Sequence, residues 1–366
     1  MDLKSAFDTV NHKILLEKLE HIGFRGCFLN LISSYLSGRK QYIKNEDIES
    51  LILDVVCGVP QGSVLGPLLF TLYINDIVNC SGLESVLYAD DAALVASANT
   101  VKKLVNSELP KVHDWLTVNK LTLNCSKTKY MLFGLDSHTR KNSPLKIKFR
   151  CNINKRAIQR VDEFKYLGVI IDNKLNWQKH IDYIASKLAK VAGVIYKLRS
   201  KAQISTLKLI YNSLVGSYLS YGVIAWGNCA ISTLSKLQSL QNKILRYMTF
   251  TDRCSSINHA YKEKQIMNIE NVCFFETAKF MQSIHHHSHP DAFENYFTPL
   301  SHSYSTRTKN KANYAVPQPR TNLGKRSVKY SGITVWGKIP FELKKLVKKE
   351  QFKTQLKEYI IENNSD

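Results

Sequence analysis

Two adjacent aspartates interrupt the apolar segment VLYADDAALVAS, and this pair constrains the chain more than any other feature. The short runs 86–89 and 92–96 predict two apolar strands, with Asp90 and Asp91 at the tip of the hairpin between them. Adjacent carboxylates repel, and Asn-Gly or Asp-Gly would form a two-residue turn more easily. Two carboxylates at such a tip are costly unless a cation neutralises them. A polar turn without a metal is the alternative, because aspartate is a common turn residue.

A third carboxylate, Asp2, stands in the segment MDLKSAFD, at the start of a predicted strand. Its simpler interpretation is an acid ahead of the helix that begins after Asn11. However, carboxylates in this arrangement are also what a polymerase needs to hold two divalent ions about 3.5–4 Å apart. Asp2, Asp90 and Asp91 are therefore the candidate metal ligands.

The first 175 residues mix helical and strand-like patterns. Helices are predicted after Asn11, where the asparagine is a plausible N-cap, and at 28–36, 65–77 and 101–116, the last starting or kinking at Pro110. Strand-like runs lie at 41–45, 51–58, 86–89, 92–96, 130–133, 147–151 and 164–171. Strand pairs interleaved with helices indicate an α+β fold with a mostly antiparallel sheet.

The pattern becomes almost entirely helical near Trp177. Apolar residues at helical spacing predict helices at 181–198, 207–226, 234–250 and 272–284. The segment 298–329 is polar and basic with little periodicity, and the tail predicts a small module that ends in an amphipathic helix. We therefore expect three parts, at residues 1–175, 176–297 and 298–366.

Three longer motifs follow MDLKSAFD in a fixed order around the paired acids. They are GVPQGSVLGPLLF at 58–70, LTLNCSKTKYMLF at 121–133 and FKYLGVIID at 164–172. This ordered set resembles the palm motifs of reverse transcriptases, specifically those of non-LTR retrotransposons of the jockey and CR1 type. The resemblance is specific from Asp2 to about Asp172 and looser beyond. It implies a palm at 1–175, a helical thumb at 176–297, a C-terminal module at 298–366 and fingers that are largely absent.

The same resemblance implies an activity and its partners. The activity is RNA-directed DNA polymerase, with two Mg²⁺ ions, or Mn²⁺ in their place, on Asp2, Asp90 and Asp91. The implied partners are an RNA template, a DNA primer or RNA–DNA hybrid, and deoxynucleoside triphosphates. A catalytically inactive, nucleic-acid-binding remnant of such an element is the alternative function.

Further site residues are also implied by the resemblance. Lys127 would lie near the triphosphate, and Phe7 would be a steric gate against the ribose 2′-hydroxyl. The other implied contacts are nucleotide and template contacts at Pro60, Gln61, Gly62 and Tyr88, and a primer grip at Tyr166, Leu167 and Gly168. Each has a simpler interpretation: a solvated lysine, a core phenylalanine, a plain turn and a strand with a bulge glycine.

The chain is strongly basic, with 51 Lys and Arg against 30 Asp and Glu and a formal net charge of +21. Positive charge spread along the chain favours a polyanionic partner, and nucleic acid is the commonest. The resemblance implies that a set of basic residues in the helical region would contact duplex phosphates. They are Lys187, Lys190, Lys197, Arg199, Lys201 and Lys208. A solvated helix face is the alternative for any one of them.

Only Met1 precedes Asp2, whereas the resemblance implies an endonuclease and fingers upstream. We therefore expect a fragment of a mobile-element reading frame, with Asp2 on a terminus that frays. The sequence predicts neither a secretory signal nor a membrane span, which favours an intracellular protein in a nuclear or cytoplasmic ribonucleoprotein. The cluster His285, His286, His287 and His289 lacks metal-ligand spacing, so we expect no metal there. The oligomeric state stays open.

Overall fold

The computed structural model describes residues 1–97, 101–133, 158–252, 255–300 and 314–363, with side chains from 104 onward in the second range. The predicted strand at 147–151 lies outside these residues. The chain divides into two compact units, Met1–Asp162 and Glu163–Asp366. The finer assignment of residues 1–175, 176–297 and 298–366 to palm, thumb and C-terminal module stays a prediction.

The helices of the first unit follow the apolar periodicity of the sequence. They are α1 (His12–His21), α2 (Cys27–Leu36), α3 (Leu65–Ile74) and α4 (Val101–Val118), with 3-10 turns at Ala6–Asp8 and Asn75–Asn79. The predicted N-cap is confirmed, because Asn11 Oδ1 accepts a hydrogen bond from the amide of Ile14 at 3.1 Å. Pro110 lies inside α4, which continues through it.

The strands of the first unit are short and pair two by two. They are β1 (Lys40–Gln41), β2 (Lys44–Asn45), β3 (Ile48–Glu49), β4 (Leu53–Asp54), β5 (Glu84–Tyr88), β6 (Asp91–Val95), β7 (Lys129–Tyr130) and β8 (Gln159–Arg160). The pairs β1–β4, β2–β3 and β5–β6 are antiparallel, and β7–β8 is parallel. The expected α+β fold with mostly antiparallel pairing is confirmed.

The core of the first unit lies where α1, α3 and α4 pack together. Leu15, Phe70 and Leu116 are almost completely buried there. Tyr73 of α3 is also buried, and its hydroxyl donates to the carbonyl of Asn119 at 2.6 Å. This core supports the segments on which the candidate site is built.

The second unit begins with a β-hairpin and continues as helices. Its elements are β9 (Glu163–Tyr166), β10 (Val169–Asp172), α5 (Gln178–Leu198), α6 (Ile204–Ile210), α7 (Ser217–Ser220), α8 (Val223–Trp226), α9 (Ile231–Thr249), α10 (Asn258–Glu263), α11 (Ile269–His285), α12 (Asn322–Arg326), α13 (Val328–Lys338), α14 (Phe341–Lys344) and α15 (Lys349–Asn363). None of the helices in the described part of the chain combines the length and the apolar character needed to span a bilayer.

Two hydrophobic clusters hold the second unit together, and α11 contributes to both. The first buries Leu188 of α5, Trp226 of α8 and Leu237 of α9. The second packs Met281 of α11 with Trp336 of α13. The C-terminal helices therefore share a core with α11.

The prediction of one continuous helix at 207–226 is wrong. The chain instead forms α6, a π-helical segment at Tyr211–Gly216, α7 and α8. Helical φ/ψ ends at Tyr221, which is extended, and Gly222 then adopts a left-handed conformation with φ +63°. Glycine takes this conformation without the clash that a Cβ would cause, so the helical run stops at this point.

Candidate active site

The first four residues form the centre of the site, because they pair with chain segments on both sides. The amino group of Met1 donates to the carbonyl of Ala92, and the amide of Ala92 donates back to Met1 at 3.3 Å. Leu3 makes an antiparallel bridge with Leu123. The expectation that Asp2 would lie on a frayed end is therefore wrong: its backbone is held by pairing that the local sequence does not reveal.

Asp2 itself is fixed through both of its backbone groups. Its amide donates to Thr128 Oγ1 at 3.1 Å, and its carbonyl accepts from the amide of Asn124 at 2.8 Å. Both bonds span more than 120 residues of sequence. The half-buried carboxylate of Asp2 is consequently placed beside the turn that carries Lys127.

The paired acids lie on a β-hairpin, as predicted, but its tip is one residue earlier. Asp91 is the first residue of β6 and pairs with Tyr88, the last residue of β5. The two-residue turn is therefore Ala89-Asp90, and Ala89 has φ +51°. Tight hairpins favour a positive φ in the turn because it matches the twist of the strands. Of the two carboxylates, Asp90 in the turn lines the pocket described below, whereas Asp91 belongs to the strand.

The glycine-rich loop that begins at Gly58 packs directly on the segment Ala6–Asp8. The amide of Val59 donates to the carbonyl of Phe7 at 2.8 Å, and Gln61 Nε2 donates to Asp8 Oδ1 at 2.7 Å. Gly58 has φ +90°, and a Cβ on it would lie 2.8 Å from the carbonyl oxygen of Asp8. Glycine is required here because the two backbones touch.

These segments line an open pocket of about 370 Å³. Residues from the first segment, the loop, the hairpin tip and the turn before β7 line it. The side chains with implied roles among them are Asp2, Phe7, Gln61, Asp90 and Lys127. Five of the predicted site residues, from four separate parts of the sequence, are thus brought to one place.

The other predicted residues of the first unit lie outside this pocket. Tyr88 is 66% exposed on β5, and Asp91 pairs with it across the hairpin. Pro60 lines a neighbouring pocket of about 700 Å³, to which Gln61 and Arg39 also contribute. Gly62 is exposed and has φ +81°. The two pockets share Asp8 and Gln61, so they form one continuous polar surface.

Comparisons with known proteins agree with this geometry. Residues 1–171 match the family described as reverse transcriptase (RNA-dependent DNA polymerase). This match covers every segment that lines the pocket. Residues 1–171 belong to the reverse transcriptase family.

Curated relatives of this reverse transcriptase domain come from mobile elements. The chain is 30% identical to the probable RNA-directed DNA polymerase from transposon X-element of Drosophila melanogaster, over 68% of this chain and 28% of the relative. It is 29% identical to the RNA-directed DNA polymerase from mobile element jockey of the same species, over 67% of this chain and 27% of the relative. The matches thus span less than a third of either relative. The resemblance to non-LTR retrotransposon reverse transcriptases is confirmed.

Sequence reasoning about this reverse transcriptase domain missed two polar residues near the pocket. Asn124 lines it, and its Oδ1 accepts from Ser126 Oγ at 2.7 Å within the turn that carries Lys127. Thr128 is 3% exposed and holds the amide of Asp2. The Asn-Cys-Ser-Lys turn is a sequence signal for Asn124, because asparagine commonly caps such turns. No local signal marks Thr128, since its partner is 126 residues away.

Among the residues that the structure describes, no group of three or more His, Cys, Asp or Glu side chains is close enough to hold a metal ion. The carboxylates of Asp2 and Asp90 line one pocket, and carboxylate oxygens are the ligands that Mg²⁺ prefers. The donor chemistry thus fits a hard divalent cation, although the side chains are not gathered into a closed site.

The predicted primer grip of the reverse transcriptase domain is a tight β-hairpin at the start of the second unit. Tyr166 of β9 pairs with Val169 of β10, and the turn residues Leu167 and Gly168 have φ +44° and +82°. Positive φ at both positions is typical of the favoured two-residue hairpin turn. The hydroxyl of Tyr221 donates to the carbonyl of Leu167 at 2.6 Å. The hairpin tip is therefore anchored at the break between α7 and α8.

The histidine cluster is distributed over the end of α11 and its neighbours. The ring of His285 lies 5.2 Å from that of Trp336, and His286 Nε2 lies 3.1 Å from the carbonyl oxygen of Lys344. Burial lowers the pKa of His285, and the charges of His286 and Lys344 lower it further. These contacts give two of the histidines packing partners beside the second hydrophobic cluster, which contains Met281 and Trp336.

Proposed function

We propose that this chain is an RNA-directed DNA polymerase of a retrotransposon, which extends a primer 3′-hydroxyl with deoxynucleotides. The observation that carries the proposal is the shared pocket of Asp2, Asp90, Lys127, Phe7 and Gln61, within a domain of the reverse transcriptase family. The carboxylates of Asp2 and Asp90 line this pocket together with the side chain of Lys127. Such a pocket has ligands for a cation and a positive group for a phosphate.

Asp2, Asp90 and Asp91 are the proposed ligands of two Mg²⁺ ions, for which Mn²⁺ could substitute. Bound Mg²⁺ would activate the primer hydroxyl and neutralise the triphosphate. Asp2 is suited to this role because its backbone is fixed on both sides. Asp90, on the tip of a hairpin, is suited because the turn leaves its carboxylate half-exposed toward the pocket.

Lys127 is the residue that we propose contacts the phosphates of the incoming triphosphate. Its side chain is exposed, while its backbone amide is fixed by Asn124, whose carbonyl oxygen accepts from it at 3.2 Å. A mobile ammonium on a fixed backbone can follow the negative charge that develops on the leaving pyrophosphate.

Phe7 is the proposed steric gate against ribonucleotides. Its ring lies 4.5 Å from that of Phe70, which is completely buried. A ring that packs on the core cannot easily move aside, so it excludes a 2′-hydroxyl by size. Gln61, held by Asp8, presents its amide at the neighbouring wall, where Pro60 and Gly62 shape the loop.

The proposed partners are an RNA template, a DNA primer or RNA–DNA hybrid, and deoxynucleoside triphosphates. Tyr88 would contact the nucleotide from the exposed edge of β5, and Tyr166, Leu167 and Gly168 would form the primer grip. We also propose a nuclear or cytoplasmic ribonucleoprotein as the site of action. The basic charge of +21 supports the nucleic-acid partners.

One observation favours a second function, in which the chain binds nucleic acid without polymerising it. The carboxylates of Asp2, Asp90 and Asp91 are not gathered into a group of three within the described residues. Catalysis depends on ligands that are already in place, because their reorganisation would cost free energy at each turnover. A binding protein would need only the positive surface.

Primer extension on an RNA template with an annealed DNA primer in Mg²⁺ tests the first proposal. We expect the parent chain to extend the primer and the Asp90→Asn, Asp91→Asn double variant to lose extension, with unchanged folding by circular dichroism. Asp114→Asn is the matched control, because it removes an exposed carboxylate from α4. Phe7→Val should still extend and should accept ribonucleotides more readily.

Two results would contradict the proposal in different ways. Equal extension by the parent and the double variant would show that the two aspartates have no catalytic role. No extension by either protein, with duplex binding intact in both, would favour the nucleic-acid-binding function.

A further inference from the structure

Another polar pocket lies in the second unit, beside the C-terminal ends of α5 and α9. It is open, with a volume of about 590 Å³, and falls in the range of ligand pockets. Three cationic side chains and one carboxylate line it, together with two aromatic rings. They are Arg199, Lys243, Arg246, Asp252, Tyr247 and Phe250.

Arg199 is surrounded by aromatic rings. Its guanidinium carbon lies 4.3 Å from the ring centroid of Tyr196, 5.1 Å from that of Phe250 and 5.7 Å from that of Tyr247. The rings of Tyr196 and Tyr247 are in contact, with centroids 4.9 Å apart at an angle of 62°. These contacts hold a planar cation and aromatic faces at one wall of the pocket.

Phe250 occupies a conformation that stability alone does not favour. It ends α9 in the left-handed region with φ +55°, where glycine or asparagine is preferred. Its side chain is also 61% exposed. Although Arg199 lies 5.1 Å from its ring centroid, most of the Phe250 side chain is exposed and can contact a ligand.

Arg246 shapes the rim of the pocket, and the exposed side chain of Lys243 also lines the pocket. Arg246 donates to the carbonyls of Asp252 and Ser255 at 3.3 and 3.2 Å, which anchors these two residues beside the end of α9. Lys243 is exposed, and its Nζ lies 5.8 Å from the ring centroid of Tyr247.

Helix electrostatics explain only part of this arrangement. Cations at the C-terminal end of a helix are stabilised by its dipole, which accounts for Arg199 after α5 and Arg246 in the last turn of α9. The dipole explains neither the exposed ring of Phe250 nor Lys243, which lies almost two turns before the end of its helix.

We propose that this pocket binds one nucleotide of a single-stranded nucleic acid. The base stacks on the ring of Phe250, and Arg199 and Lys243 contact the flanking phosphates. A stacked base requires a free face, which an unpaired nucleotide offers and a base pair inside a duplex does not. The pocket is distinct from the polymerase site of the proposed function, because every residue that lines it belongs to the second unit.

Binding of a fluorescein-labelled 12-nucleotide RNA without self-complementarity, measured by anisotropy, tests the proposal. We expect Phe250→Leu to weaken binding at least about fivefold, since it removes the stacking face. Phe250→Trp should restore affinity to within about twofold, because the indole ring also stacks. Leucine and tryptophan at an exposed position leave the core unchanged, and circular dichroism verifies the fold.

The charge contribution is tested by salt dependence. Lys243→Gln should reduce the slope of log affinity against log salt by about 0.7, as expected for one phosphate contact on a single strand. Lys353→Gln, which removes an exposed lysine from α15, should leave Phe250-dependent binding unchanged. Anisotropy measures binding without any polymerisation, so this test stands even if the chain does not extend a primer.

Two outcomes would overturn the proposal. Parental affinity in both Phe250→Leu and Lys243→Gln would show that the rings and cations only stabilise the helix ends. Equal losses of affinity for the single strand and for the same sequence in a duplex would show a contact with duplex phosphates.

Discussion

The candidate active site in the first unit and the helical core of the second unit are held by different forces. In the site, the backbone of Asp2 is held by hydrogen bonds with the amide of Asn124 and the hydroxyl of Thr128, and its side chain stays half-buried. In the helical core, Leu188 and Trp226 are completely buried among apolar side chains. Backbone pairing fixes direction at the site, whereas apolar burial provides stability in the core.

This difference implies that function and stability can be changed separately. The polar side chains that line the pocket, such as Asp2, Asp90 and Lys127, contribute little apolar burial, so replacing them should affect chemistry more than folding. Side chains of the helical core are buried among apolar neighbours, so replacing them should affect folding first. The four predictions below test this separation.

Trp226→Ala should produce the largest loss of stability. The indole is completely buried, packs against the ring of His180 at 5.5 Å, and donates from Nε1 to the carbonyl of Tyr221 at 2.9 Å. We expect the free energy of unfolding to fall by about 3–5 kcal/mol in urea denaturation. Leu209→Ala is the control, because Leu209 is 67% exposed and should change stability by no more than about 0.5 kcal/mol. Equal effects would remove the contrast between core and surface.

Gly58→Ala should be the most disruptive change near the site. Alanine at this position would be strained at φ +90°, and its Cβ would lie 2.8 Å from the carbonyl oxygen of Asp8. We expect the free energy of unfolding to fall by about 2–4 kcal/mol. Gly62→Ala is matched, since Gly62 has φ +81° but no atom within 4 Å of the added Cβ. It should cost only about 1–2 kcal/mol. Thermal unfolding of both variants measures the difference, and identical costs would show that close backbone approach is unimportant.

The stability of the second unit should fall as pH is lowered from about 6.5 to about 4. Burial, and secondarily the charge of Lys165, lowers the pKa of His180 to about 4 in the folded chain, against a model-peptide value of 6.5. Within this window His180 is protonated in the unfolded chain but not in the folded chain. Its contribution to stability is therefore fully present above pH 6.5 and is lost as the pH falls toward 4. The loss is about 3 kcal/mol at most.

Urea unfolding at several pH values checks this dependence on His180. His180→Asn keeps an acceptor near the position of Nδ1, which accepts from the amide of Ile170 at 3.3 Å. We expect the variant to lose most of the slope between pH 4 and 6.5. A slope equal to that of the parent would assign the dependence to other groups.

Thr128→Val should have the smallest effect on stability and a larger one on activity. Valine has nearly the same shape but cannot accept the hydrogen bond from the amide of Asp2, which should cost about 1 kcal/mol. We expect primer extension to fall by about tenfold or more, because Asp2 is then free to shift. Thr122→Val is the control, since the side chain of Thr122 is exposed. Full activity in Thr128→Val would mean that Asp2 does not depend on this bond.

The sequence alone determined the local helices and strands and identified most of the residues that line the candidate site. Periodicity and caps were sufficient to predict α1 with its N-cap Asn11, and α5 and α9 within a few residues. These features are local, because a helix is specified by side chains three and four positions apart. The ordered motifs also predicted the family, as the match over residues 1–171 confirms.

Only the tertiary structure decided how distant segments meet. It showed that Asp2 is paired and not frayed, that Ala89-Asp90 forms the hairpin tip, and that Gly222 ends the helical run before Trp226. It also brought Arg199 to Phe250, 51 positions away in the chain. Hydrogen bonds and packing across such separations depend on the whole fold, and no periodic pattern in the sequence encodes them.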